Sequence, residues 1–382
     1  MNNEFEELLK KKLKECVDKF NPSLVIDPPL SLNEEPITFL SLLVNSARYS
    51  KRQIIKCVRA VNIFIKKTLI DCCPFYQNKV INKALAKIDL DAHAQTYDLL
   101  SDEFSKQNFV DVIALRLWGP RKVQMPQGKK SFYNSIDVVD TLKVENCSKI
   151  PYFWWELCIY DLNKIGKNYR VYTTRESVYM DWKSPQYEYF DKVRIKEGDY
   201  VVDGGACYGN TAIDFAYTVK ENGKVYSFEF LPENLQIFNK NLELNSELAS
   251  RIEIIPHPLW SNSSLELYVI DNGPGTRVLS TPPEKYDLKV ASKSIDDLVD
   301  EGVIKRVDFL KLDIEGAELE CLKGSAKTIQ RWKPQLAVCV YHKHEDFIQI
   351  PQYLHNLVPE YKFYMKHHSD CIFETVLYAA TD

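Results

Sequence analysis

The chain has 382 residues, 45% of them hydrophobic and 27% charged, with a net charge of -4 at neutral pH. That composition can build a real core, and the length predicts one catalytic domain plus a sizeable extension. The slight negative charge argues against gripping long nucleic acid through a basic face, so no nucleic-acid partner is expected. No run of about 20 apolar residues is present to form a membrane-spanning helix.

Ten cysteines occur, with no CxxC pair and with Cys72 and Cys73 adjacent. Cys158, Cys321 and Cys339 sit in apolar runs, which reads as buried thiols in a reducing compartment rather than disulfides or a zinc site. The sequons at Asn146 and Asn262 therefore carry little weight. The start, MNNEFEELLKKKLKEC, is charged and lacks the apolar core of a secretory signal. The expectation is a cytoplasmic chain.

Taken in order, residues 1–95 read as helical. Phe5, Leu8, Leu9, Leu13, Cys16 and Phe20 fall on one helical face. Ile54, Ile55, Val58, Val61, Ile65 and Leu69 make a second stripe, after the proline-broken segment NPSLVIDPPL. Such stripes pack within a chain or between copies, so a homo-oligomer through these helices is one expectation. LLSDEFSKQNFVDVIALRL (99–117) predicts another helix, capped near Ser101. Extended pieces are expected around Tyr169–Thr173 and Val178–Trp182. Residues 96–190 thus read as a mixed connecting region covering the active site.

From Asp199 strand and helix signals alternate. DYVVDGG, KVYSFEF, IEIIPHPLW, VDFLKLDIEG and LAVCVYHKH read as buried strands, and YKFYMKHH and FETVLYAA as two more that pair. Helices intervene at Thr211–Val219, ENLQIFNKNLELN, DDLVDEG and AELECLKG. This predicts an α/β fold with a doubly wound, mainly parallel seven-stranded sheet over 191–382 and a mostly helical N-terminal extension.

The segment from Asp203 through Gly204, Gly205, Ala206, Cys207, Tyr208, Gly209 and Asn210 to Thr211 follows a strand and opens a helix. Its D-x-G-x-x-x-G pattern lies where open α/β sheets bind ligands, at the carboxyl ends of strands. The dinucleotide fingerprint G-x-G-x-x-G and the phosphate loop are both absent. Glu229 ends the next strand, where a carboxylate accepts hydrogen bonds from both hydroxyls of a ribose.

Together these residues resemble class I S-adenosylmethionine (SAM)-dependent methyltransferases, Rossmann-like in fold, and more closely the FkbM-type family. The resemblance rests on GDYVVDGGACYGNTAIDFA, on FEFLPENLQIFNKNLELN with Pro232, Asn234, Asn241 and Asn245, and on SIDDL. It rests too on VDFLKLDIEGAELECLKGSA with Lys311, Asp313, Glu315, Gly316 and Glu318. It covers roughly residues 97 to 382. It implies SAM as cofactor and O-methylation of a hydroxyl on a sugar, glycan or secondary metabolite. The implied cofactor contacts are Asp203, Gly204, Gly205, Ala206, Tyr208, Asn210, Thr211, Glu229, Phe230, Pro258, Leu259 and Asp313. Tyr208 stands where the family usually has an aliphatic residue. His257-Pro258-Leu259-Trp260 should lie against the adenine.

For chemistry, an acceptor oxygen must be aligned with the S–CH3 bond and lose its proton. Asp313, Glu315 and Lys311 at the end of the fourth strand are the first candidates, with Glu318 read as structural. His342 after the fifth strand is the candidate base, and His342 with His344 beside Glu345 and Asp346 raises a minor metal reading; the expectation is no metal. Gln186, Tyr187, Asn272, Thr276, Tyr341 and His344 are expected to meet the acceptor. Rival readings are an N-methyltransferase, a non-catalytic module of the same fold, and a dehydrogenase. The first is disfavoured because LDIEG stands where [DNS]PP[YF] is usual.

Overall fold

The computed structural model describes residues 4–18, 74–120, 122–125 and 129–381. The second N-terminal stripe, Ile54–Leu69, and Phe20 lie outside the described residues. Two compact units emerge, one of residues 1–94 and 113–124, the other of 95–112 and 125–382.

In the first unit α1 (Glu4–Asp18) buries Phe5, Leu9 and Leu13 completely, the i, i+4, i+8 face its spacing predicts. Helices α2 (Pro74–Leu85) and α3 (Leu90–Leu99) follow. Helix α4 (Glu103–Trp118) has residues in both units; it is polar and part-exposed in its first turns, and residues 109–115 are all buried. Its cap is Asp102 rather than Ser101: the Asp102 carboxylate accepts the Ser105 N–H at 2.9 Å, while the Ser101 hydroxyl accepts the N–H of Phe363 at 3.1 Å. Helix α5 (Lys129–Leu142) belongs to the second unit. Among the described residues, no helix is long and apolar enough to cross a membrane.

The second unit holds the doubly wound sheet. Its strands are β4 (Tyr200–Gly204), β5 (Lys224–Phe228), β6 (Ile252–Ile255), β10 (Phe309–Leu312), β11 (Gln335–Cys339), β12 (Lys362–His367) and β13 (Thr375–Ala380). The spatial order is β12-β13-β11-β10-β4-β5-β6. Strands β6, β5, β4, β10 and β11 run parallel, and β13 inserts antiparallel between β11 and β12. Helices α6 (Asn210–Val219) and α7 (Pro232–Leu244, started by its proline) return the chain between parallel strands. Helices α8 (Ile295–Asp300), α9 (Glu318–Lys323), α10 (Ala326–Trp332) and α11 (Asp346–Leu357) do the same further on. With both faces of the sheet covered, the central strands are continuously buried, so they read as unbroken apolar runs. Lys311 is the polar exception within β10.

Three expectations change. The third strand stops at Ile255, because Pro256 and Pro258 cannot donate to a ladder. Val178–Trp182 is helical, not extended. Thr174 accepts the Ser177 N–H at 3.1 Å and starts a turn over Arg175–Val178 that widens over Tyr179–Lys183 and stops before Pro185. Two small antiparallel sheets also flank the main one. One joins β1 (Ile150–Tyr152), β2 (Trp155–Asp161) and β3 (Arg170–Thr173); the other joins β7 (Glu266–Ile270), β8 (Arg277–Leu279) and β9 (Leu288–Ala291).

Candidate active site

Strand β4 delivers the chain to the glycine loop at the carboxyl edge of the sheet. At Gly205 φ is 81°, and a Cβ there would stand 1.9 Å from the carbonyl oxygen of Asp313. At Gly209 φ is 82°, and a Cβ would strike the Phe238 ring at 2.1 Å. Both positions therefore need glycine for conformation and for space.

Lys311 fixes this loop from behind. It is the register partner of Asp203, so the two side chains stand side by side on one face of the sheet. Lys311 is 1% exposed and Asp203 0%. The Lys311 Nζ sits 3.0 Å from Asp203 Oδ1 and donates to the carbonyls of Gly204 (3.0 Å) and Gly205 (2.8 Å). Burial alone would lower its pKa, but Asp203 and Asp313 hold it above the ordinary lysine value. The ammonium is held by this ion pair and two hydrogen bonds, so Lys311 braces the loop and is poorly suited to the catalytic role expected of it. Asp203 and Gly204 lie behind the loop rather than on the cavity wall; the other Asp203 oxygen accepts the Thr211 hydroxyl at 3.3 Å.

In front of the loop is a cavity of ≈ 680 Å³. Gly205, Ala206, Tyr208, Asn210 and Thr211 line one side. Glu229, Phe230, Pro258 and Leu259 line the next, with His257 beside them. Glu229 is anchored: Oε1 accepts the N–H groups of Phe230 (2.7 Å) and Leu231 (2.8 Å), and Oε2 accepts the Asn234 amide at 2.9 Å. Asn234 is itself fixed by the Tyr152 hydroxyl at 2.7 Å. Burial raises the Glu229 pKa against these bonds. A carboxylate accepts about four hydrogen bonds, so Oε2 retains accepting capacity toward the cavity.

The opposite wall gathers the candidates for chemistry. Asp313 accepts the Tyr187 hydroxyl at 2.8 Å and the Tyr341 hydroxyl at 3.1 Å. Burial would raise its pKa, but His342 and Lys311 hold it below the usual range. Strand β10 ends at Leu312, so strand alternation does not reach Glu315. Glu315 instead turns toward the cavity through a left-handed backbone (φ 55°), followed by Gly316 at φ 94°. His342 stands behind them. Its Nε2 lies 3.4 Å from Asp313 and 3.5 Å from Glu315, and its Nδ1 lies 2.9 Å from buried Glu318. Burial alone would lower its pKa, but Glu318, Glu315 and Asp313 push it up to about 11. His342 is not on the cavity wall, which opposes the base role expected of it.

Gln186, Tyr187, Thr276 and Tyr341 line the cavity, as do Lys311, Asp313 and Glu315. Asn272 and His344 are exposed and stand off its wall. Four residues not singled out on chemistry also reach it. Trp155 comes from β2, and Met180 and Asp181 come from the wide turn after Val178. Asp181 accepts the Asn210 amide at 2.9 Å, and burial with Asp214 nearby raises its pKa to about 7. Glu374, before β13, accepts the Gln186 amide, and burial beside Asp313 likewise raises it to about 7. Asp181 and Glu374 carry no motif; only their folded positions mark them.

The strand order, the single antiparallel strand at the second position and the glycine loop over the carboxyl edge define a class I methyltransferase fold. Residues 203–365 match the model of the Methyltransferase FkbM domain. Methyltransferase sdnD of Sordaria araneosa is 28% identical over 168 residues, which are 35% of this chain and 63% of that protein. The crystal structure of methyltransferase FkbM from Methylobacillus flagellatus KT is similar with a TM-score of 0.48 and 21% identity, over 76% of this chain and 58% of that one. The chain thus spans less than two thirds of the length of either.

Proposed function

We propose that this chain is a SAM-dependent O-methyltransferase acting on a hydroxyl of a sugar, glycan or secondary-metabolite acceptor. The observation that carries the reading is the pairing of the glycine loop with anchored Glu229 on one cavity wall. Loop backbone suits the methionine part of SAM, Glu229 its ribose, and His257-Pro258-Leu259 its adenine. The cavity volume falls in the range of small-molecule sites.

In this reading the acceptor oxygen attacks the sulfonium methyl. The O–C bond forms as the S–C bond breaks, and S-adenosylhomocysteine (SAH) leaves. Glu374, with a pKa near neutrality, takes the hydroxyl proton. Asp313, held by two tyrosines, orients the acceptor. Exposed Trp154 and Trp155, with ring centroids 4.9 Å apart, offer a stacking face for a sugar ring, and Trp155 also lines the cavity.

Incubating the chain with methyl-labelled SAM and a panel of glycans and hydroxylated metabolites should release SAH and place the label in an ether. Label on an amine would move the assignment to N-methylation. Absence of any SAM binding by titration calorimetry would sink the reading.

Asp181 suits the ammonium of the methionine part, which only its ionised form attracts. SAH affinity should therefore fall as pH drops below about 7, by up to tenfold per unit, and level off above it. Asp181→Asn should flatten this profile. A wild-type affinity constant from pH 5.5 to 8 would exclude the assignment.

A further inference from the structure

We propose that Asp313, Glu315 and His342 form a binding site for one divalent first-row transition-metal ion, of the Mn2+ or Zn2+ type. One ligand atom from each lies within 4.8 Å of the others. The His342 Nε2 is 3.4 Å from Asp313 Oδ1 and 3.5 Å from Glu315 Oε2. Those gaps are long for hydrogen bonds. They are close to the separation of roughly 3.0–3.4 Å between neighbouring ligand atoms each about 2.1 Å from one ion.

A second observation singles out the histidine. Its side chain is 7% exposed, yet among the described residues neither ring nitrogen makes an aligned hydrogen bond. A buried imidazole aimed between two carboxylates without aligned partners is unusual, because buried polar groups nearly always find one. Behind it, Glu318 is fully buried, accepts the Ile314 N–H at 2.9 Å, and places the same oxygen 2.9 Å from Nδ1. A carboxylate so placed can accept the Nδ1 proton of a metal-bound imidazole and fix its tautomer, leaving Nε2 for the ion. One imidazole with two carboxylates favours Mn2+ or Zn2+ over Mg2+ or Ca2+, which take oxygen ligands alone.

Asp313 and Glu315 line the cavity, so the open coordination positions face the acceptor. An acceptor hydroxyl on such an ion is more acidic and fixed in direction, which is what methyl transfer requires. This use rests on the methyltransferase reading; the site itself does not.

The test is direct titration of the full chain, stripped with chelator, with Mn2+ alone, followed by electron paramagnetic resonance without SAM. One ion per chain should bind, be displaced by Zn2+, and bind at least tenfold more weakly in Glu315→Gln and His342→Gln. Glu318→Gln should weaken binding by about 10–100-fold while its thermal unfolding shows it folded. No stoichiometric binding, or equal binding by the Glu315 and His342 variants, overturns the site. Metal binding without methyl transfer would sink the methyltransferase reading and leave the site standing; transfer without metal binding would do the reverse.

Discussion

Lys311→Met is expected to destabilise the chain by about 3–5 kcal/mol, because it strands a buried carboxylate. Asp203 is fully buried, and its Oδ1 faces the ammonium at 3.0 Å. Removing the ammonium leaves an uncompensated charge and takes one donor from each of two loop carbonyls, of which Gly204 still accepts the Asp313 N–H. For a unit of this size the loss corresponds to a fall in Tm on the order of 10 °C. The double variant Asp203→Asn with Lys311→Met should recover part of it, since the buried charge goes with its partner. Differential scanning calorimetry of the two singles and the double closes the cycle. Equal Tm in wild type and Lys311→Met would show that the lysine does not brace the loop. If Lys311 instead moved a proton in the reaction, the double variant would fold and bind SAH yet fail to turn over.

The glycine loop was legible because its needs are local. A tight turn at Gly209 and a close backbone approach at Gly205 each demand a residue without Cβ, whatever surrounds them. The central strands were legible because a sheet covered on both faces leaves a continuous apolar run. The Lys311–Asp203 pair was not, since it exists only through the register of β10 on β4, more than a hundred residues apart. The strands of the two small sheets are three to seven residues long, several of them part-exposed, too short to carry a strong period. Val178–Trp182 shows apolar residues spaced like a strand. The Thr174 cap overrode that pattern, and the turn it starts brought Asp181 to the cavity. His342 was visible as a histidine at a strand end. Its closeness to Glu318 was not, because only the return through α9 carries that residue beneath it. Glu374 enters on the connection between β12 and β13, where nothing in its neighbours names a role.

Glu229→Ala should weaken SAH binding by about 30–150-fold, the loss of two charge-assisted hydrogen bonds at about 1–1.5 kcal/mol each. The carboxylate is 6% exposed and is held by two backbone N–H groups and Asn234, so it meets a ribose already in position. Its remaining accepting capacity lies on Oε2, so a diol engages that oxygen and competes with the Asn234 amide. Two consequences separate this from general damage to the fold. Glu229→Gln keeps the shape but exchanges one accepting oxygen for a donor that faces either the ribose or the N–H groups of Phe230 and Leu231. It should therefore lose nearly as much affinity as alanine. Asn234→Ala frees Oε2 but unties the Tyr152 hydroxyl, so its effect on SAH should be much smaller than that of Glu229→Ala. Titration calorimetry with SAH, beside thermal unfolding of each variant, reads both. If Glu229→Ala bound SAH as tightly as wild type, the cavity would not be holding the sugar of a nucleoside at this strand end, and the cofactor assignment would fall with it.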